Sequence, residues 1–118
     1  MKKFFFWCFI FVIFIISQVP RIYLDSSILN WWDIAQHFLA FAVLFIVGLI
    51  AYPKKFYVLL LGLVCFGALI EITQWFTGWR QADIFDWVAD ITGLVLLALV
   101  RFILHRAQIY FEAKSFFK

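Results

Sequence analysis

Several side chains with acid–base or metal-ligating chemistry interrupt long apolar runs in this 118-residue chain. A charge there costs about 2.5–3.5 kcal/mol on insertion scales, so each needs a partner or a purpose. Asp33 and His37 are four apart, which on a helix stacks them on one face about 6 Å apart along the axis. A carboxylate so placed fixes the tautomer of the imidazole or keeps it charged. Glu71 and Gln74, three apart with Thr73 between them, share the end of a third apolar segment. Asp83, Asp86 and Asp90 open the next one within a wedge of ~60°, an acidic stripe that continues through Gly93 and extends ~10 Å. Arg80 precedes the stripe by three residues, and its planar fork suits bridging carboxylates or receiving an external phosphate or carboxylate.

The chemistry this set suggests is acid–base catalysis, with His37, Glu71 and Asp86 as catalytic candidates and His37 oriented by Asp33. Asp33, Gln74, Arg80, Asp83 and Asp90 are the ligand-binding candidates. The D-x2-D-x3-D spacing of Asp83, Asp86 and Asp90 also suits Mg²⁺ held against a diphosphate, since oxygen ligands on one helix face match that ion. Intramembrane prenyltransferases use a similar string on much longer chains. Plainer readings stand beside these. Asp33 and Asp83 also suit helix N-caps, the remaining polar groups suit interhelical glue, and Gly93 suits a close helix contact.

The elements that must position these residues are membrane helices. Hydrophobic residues make up 67% of the chain and charged residues 14%, against roughly 45–50% and 25% in soluble domains. The apolar runs Phe4–Val19, Ile34–Tyr52, Phe56–Phe76 and Ile84–Leu104 lie near the ~20 residues that cross ~30 Å of hydrocarbon. The expected fold is therefore all-α, a four-helix membrane bundle forming one domain over 1–118. The first and shortest run follows Lys2 and Lys3 and reads as an uncleaved signal anchor.

All ten Lys and Arg residues except Arg21 and Arg80 fall at the amino terminus, in the Pro53-Lys54-Lys55 turn or at and beyond Arg101. The positive-inside rule then puts both termini in the cytoplasm and the polar cluster in the outer leaflet. Trp31, Trp32, Trp75, Trp79 and Trp87 map to the outer interface and Trp7 to the inner one, where indole rings prefer to sit. The tail after Leu104, with His105, Arg106, Tyr110 and Lys114, reads as a segment lying on the anionic inner leaflet. Cys8 and Cys65 read as small packing residues rather than a disulfide or metal pair. No basic stripe or aromatic-interleaved groove points to nucleic acid.

The stretch from Asp33 to about Val100 resembles the VanZ-like membrane proteins. The matching pieces are Asp33-x3-His37-Phe38, Glu71-x2-Gln74, Arg80, Asp86 six residues on, Asp90 and Gly93. This chain departs in having Ile34 where the family usually has Lys, and Asp90 where it usually has Asn, so its cluster is more acidic. The resemblance implies a four-helix protein of the bacterial inner membrane, in a family whose namesake is associated with low-level resistance to teicoplanin. It supplies no reaction.

The expected function is binding or modifying an envelope lipid or glycan component in an outward-facing polar pocket, with the bilayer and a lipid-linked glycan or lipid head group as partners. The alternative is a non-catalytic interaction or scaffold protein whose cluster locks the helices. Proton or ion movement is disfavoured, because the inner halves of the spans lack matching polar residues.

Overall fold

A computed structural model gives the structure of residues 1–19, 26–78 and 82–116; for residues 26–30, 113 and 116 it describes the backbone alone. The chain is all-α. Four helices follow in order: α1 (Lys2–Ser17), α2 (Ser26–Ala51), α3 (Phe56–Thr77) and α4 (Ile84–Phe116). Three of them, over Trp31–Ala51, Phe56–Thr77 and Ile84–Glu112, are long and apolar enough to cross a membrane. At 16 residues, α1 is ~24 Å long and falls short of the ~30 Å hydrocarbon layer.

Two helix boundaries differ from the sequence expectation. First, α2 begins at Ser26 rather than near Ile34: the segment from Ser26 to Trp32 contains no Gly or Pro, so nothing in it opposes helix extension. Asp33 therefore sits two turns inside α2 and is not its cap. Second, α4 runs unbroken to Phe116, 33 residues in all, so the tail continues the helix instead of forming a separate surface segment. That stretch again has no helix breaker, and Gln108 Nε2 donates to Glu112 Oε1 at 2.8 Å across one turn. Elsewhere the ends fall as local chemistry dictates. Pro53 follows α2, Lys55 N–H returns to Tyr52 O at 3.0 Å, and Gly78 closes α3 in the left-handed region at φ 73°.

The order of contacts sets the helix directions. Trp7 Nε1 donates to Tyr52 Oη at 3.1 Å, and Lys3 Nζ stands 5.4 Å from the centre of the Tyr52 ring, so the start of α1 meets the end of α2. Arg101 of α4 lies over Phe56 at the start of α3 at 5.4 Å. At the opposite end, Gln74 Nε2 donates to Ser17 O at 2.8 Å and Gln18 Nε2 to Thr73 Oγ1 at 3.1 Å. Thus α1 and α3 run one way, and α2 and α4 the other.

The most extensive packing is between the two parallel helices α2 and α4. On α2 the buried face reads Asp33, His37, Phe41, Leu44, Phe45; on α4 it reads Asp86, Ala89, Asp90, Leu94. Each stripe follows the helical period and turns from polar to apolar along its length. Phe6, Leu59, Leu63 and Ile70 complete the apolar part of the core. Outward faces carry large exposed apolar side chains such as Phe4, Trp31, Tyr57, Leu61 and Phe102, as lipid-facing surfaces do. Cys8 and Cys65 are both free.

Gly93 allows the α2–α4 contact. A Cβ at that position would stand 2.5 Å from Phe38 O and 3.5 Å from Ala42 N, so the two backbones approach as small residues permit in membrane helix pairs. Gly62 has nothing within 4 Å of an added Cβ. Gly93→Val should therefore destabilise by about 1–3 kcal/mol, as overpacking does, with a clear fall in melting temperature in detergent. Gly62→Ala should not lower it.

Candidate functional site

The inner faces of α2 and α4 bring four ionisable side chains together at one end of the molecule. His37 points from α2 towards α4, between two carboxylates one turn apart. Its Nδ1 lies 2.9 Å from Asp90 Oδ1, and its Nε2 lies 3.7 Å from Asp86 Oδ2. Asp33, one turn before His37 on α2, completes a two-by-two arrangement. All four residues are buried, Asp90 completely and Asp86 to 4% exposure.

The 2.9 Å contact commits His37 Nδ1 to Asp90 and leaves Nε2 facing Asp86. The orienting carboxylate is therefore Asp90, across the helix interface. The sequence reading gave that role to Asp33 because intrahelical spacing shows only neighbours on the same helix. Asp90 is itself seated on Gly67 of α3, where an added Cβ would be 2.7 Å from Asp90 Oδ2. Gly67 was not among the sequence candidates, and its only signal was a small residue on the buried face of α3.

Glu71 reaches the start of α4. Its Oε2 accepts the Asp83 N–H at 2.9 Å, while its Oε1 is buried without a hydrogen-bond partner among the described residues. Asp83 Oδ1 accepts the Phe85 N–H at 2.9 Å, the contact of an N-cap on a helix that opens at Ile84. The acidic string is thus divided: Asp83 caps α4, Asp86 faces His37 Nε2, and Asp90 holds Nδ1. The one-face arrangement expected for Mg²⁺ is not preserved as a common ligand set. Gln74, a ligand-binding candidate, is fully buried and turns to the end of α1, where it satisfies the Ser17 carbonyl at 2.8 Å. Arg80 lies outside the described residues, as do Trp79 and Arg21.

Between α3 and α4 lies a crevice of about 330 Å³, with Glu71 in a wall otherwise formed by Ala68, Ile72, Trp75, Ala82, Ile84 and Trp87. Trp87 Nε1 donates to Val64 O at 3.2 Å, which fixes that wall. A mostly apolar crevice with one carboxylate suits an amphiphile that brings its polar end to Glu71.

Fold and site together define an all-α chain, three of whose helices are long and apolar enough to cross a membrane, with a buried Asp–His–Asp cluster between two of them. No protein-family model matches the chain, and neither the curated proteins nor the solved structures contain a significant match.

The His37–Asp90 contact should appear as a coupling in unfolding. In a double-mutant cycle with His37→Asn and Asp90→Asn, the two changes should be non-additive by about 0.6–1.7 kcal/mol, the range for interhelical hydrogen bonds in membranes. A parallel cycle pairing His37→Asn with Glu112→Gln should be additive.

Proposed function

We propose that this chain is a VanZ-like integral membrane protein of the bacterial cell envelope whose polar pocket binds or modifies an envelope lipid or glycan component. It crosses the inner membrane as a four-helix bundle, the short α1 spanning where the bilayer thins locally, with both termini in the cytoplasm and the pocket facing outward. The function extends by resemblance to glycopeptide resistance of the teicoplanin type. The observation that carries the reading is the burial of Asp33, His37, Asp86 and Asp90 at one end of the helix pair, together with the crevice that Glu71 lines. Burying that many ionisable groups is expensive, and such groups in spans commonly mark working sites.

In a catalytic form of this reading His37 and Glu71 handle protons, Asp86 faces the reacting side of the imidazole, and Arg80 receives anionic oxygen. A second reading, a scaffold whose polar groups lock the helices, draws support from Gln74, Asp83 and Glu71, which all make hydrogen bonds to backbone.

Orientation is tested by adding single cysteines to a chain lacking Cys8 and Cys65 and labelling intact spheroplasts with an impermeant maleimide. Ala82→Cys should react and Lys54→Cys should not. The functional reading is tested by His37→Asn, Glu71→Gln, Arg80→Gln and Asp86→Asn, each assayed for melting temperature in detergent and for complementation of an envelope-stress phenotype in a deletion strain. A working site predicts at least a tenfold loss of complementation with the melting temperature held within a few degrees. Parallel loss of both would favour the scaffold.

A further inference from the structure

Asp33 and His37 on α2 and Asp86 on α4 each turn one ligand-type atom towards a common point, and these atoms lie within 4.8 Å of one another. Two further observations make this more than a cluster of polar groups. His37 is 7% exposed, yet among the described residues its Nε2 has no hydrogen bond, and it aims at Asp86 Oδ2 from 3.7 Å. On the other side of the ring, Asp90 holds Nδ1 at 2.9 Å. A metal-ligating histidine characteristically donates its second N–H to a carboxylate in this way, which fixes the ring and raises the basicity of the ligating nitrogen.

Distances and charge agree with a small divalent ion. Ligands ~2.0–2.2 Å from a tetrahedral Zn²⁺ stand ~3.3–3.6 Å from one another. The His37–Asp86 separation of 3.7 Å is already close to that, and all three ligand atoms lie within 4.8 Å of one another. Carboxylate oxygens and an imidazole nitrogen are donors that attract a divalent cation in a low-dielectric interior. The mixed nitrogen and oxygen set suits zinc better than magnesium, which prefers oxygen ligands and keeps several waters.

We propose that Asp33, His37 and Asp86 bind one Zn²⁺ through His37 Nε2 and one oxygen of each carboxylate, leaving a fourth position open, with Asp90 as the positioning residue behind the imidazole. The inference rests on the reading of this cluster as a working site. The open position would take water or an anionic oxygen of the envelope component, which a Lewis acid polarises.

The test uses the full chain purified in detergent, carrying Cys8→Ser and Cys65→Ser so that thiols do not compete, stripped with a chelator and titrated calorimetrically with Zn²⁺ or Mg²⁺ alone. One equivalent of Zn²⁺ should bind, at least a hundredfold more tightly than Mg²⁺. Binding should be lost in Asp33→Asn, His37→Asn and Asp86→Asn, weakened roughly 10–100-fold in Asp90→Asn, and unchanged in Glu112→Gln. The unsubstituted site should also give visible ligand-field absorption with Co²⁺, a readout that does not depend on any site variant folding. Absence of both zinc binding and the cobalt spectrum, zinc affinity indifferent to the three ligand substitutions, or magnesium bound as tightly as zinc would each overturn the proposal. The complementation assay separates the two readings. If the parent protein has no zinc affinity yet its folded variants fail to complement the deletion strain, the working site stands and the metal is removed. Zinc bound to a chain whose ligand variants still complement keeps the metal and removes the functional reading.

Discussion

A buried imidazole between two carboxylates of a parallel helix constrains nearly everything else in this molecule. The side chains of His37, Asp86 and Asp90 have little access to solvent, so each ionisable group there must find its partners within the protein. Meeting Asp90 at 2.9 Å fixes both the rotation of α2 and its register against α4. One turn further along, Gly93 removes the Cβ that would collide with Phe38 O. Close backbone approach and polar contact therefore require the same register, and a slip of one residue would lose both.

The other two helices serve this pair at its polar end. Glu71 of α3 accepts the backbone N–H just ahead of α4, so the first turn of α4 is held from outside its own sequence as well as by Asp83. Gln74 and Thr73 of α3 hold the end of α1, which satisfies carbonyl and amide groups that lipid could not. At the other end, rings and cations do similar work: Lys3 and Trp7 gather on Tyr52, and Arg101 on Phe56. Between the two ends the interior is packed by Phe41, Leu44, Phe45, Leu63 and Leu94.

Much of this was legible in the sequence, for identifiable reasons. Apolar length marked α2, α3 and α4, because a span must have it. The polar exceptions Asp33, His37, Asp86 and Asp90 stood out because burying them is costly, and the structure does bring them together. Pairing was not legible: i, i+4 spacing made Asp33 the neighbour of His37, whereas the contact to Nδ1 comes from Asp90, 53 residues away. Nor did the sequence separate Gln74 and Asp83, which are committed to backbone, from residues facing the cluster. Hydrogen bonds to main chain leave no residue pattern of their own. The helix ends were misread because apolar content falls before helicity does, at Ser26–Trp32 and again beyond Leu104.

The separation between His37 and Asp90 along the chain, 53 residues, also has a meaning in time. At ~5–20 residues per second, a ribosome that has made His37 takes roughly 3–10 s to make the carboxylate that will hold it. During that interval α2 carries Asp33 and His37 without their counterparts on α4. What keeps the nascent segment at the translocon or in the bilayer is the apolar stretch from Phe38 to Ala51, which follows the two polar residues directly. Biogenesis therefore places its own demand on α2: it must be apolar enough to wait.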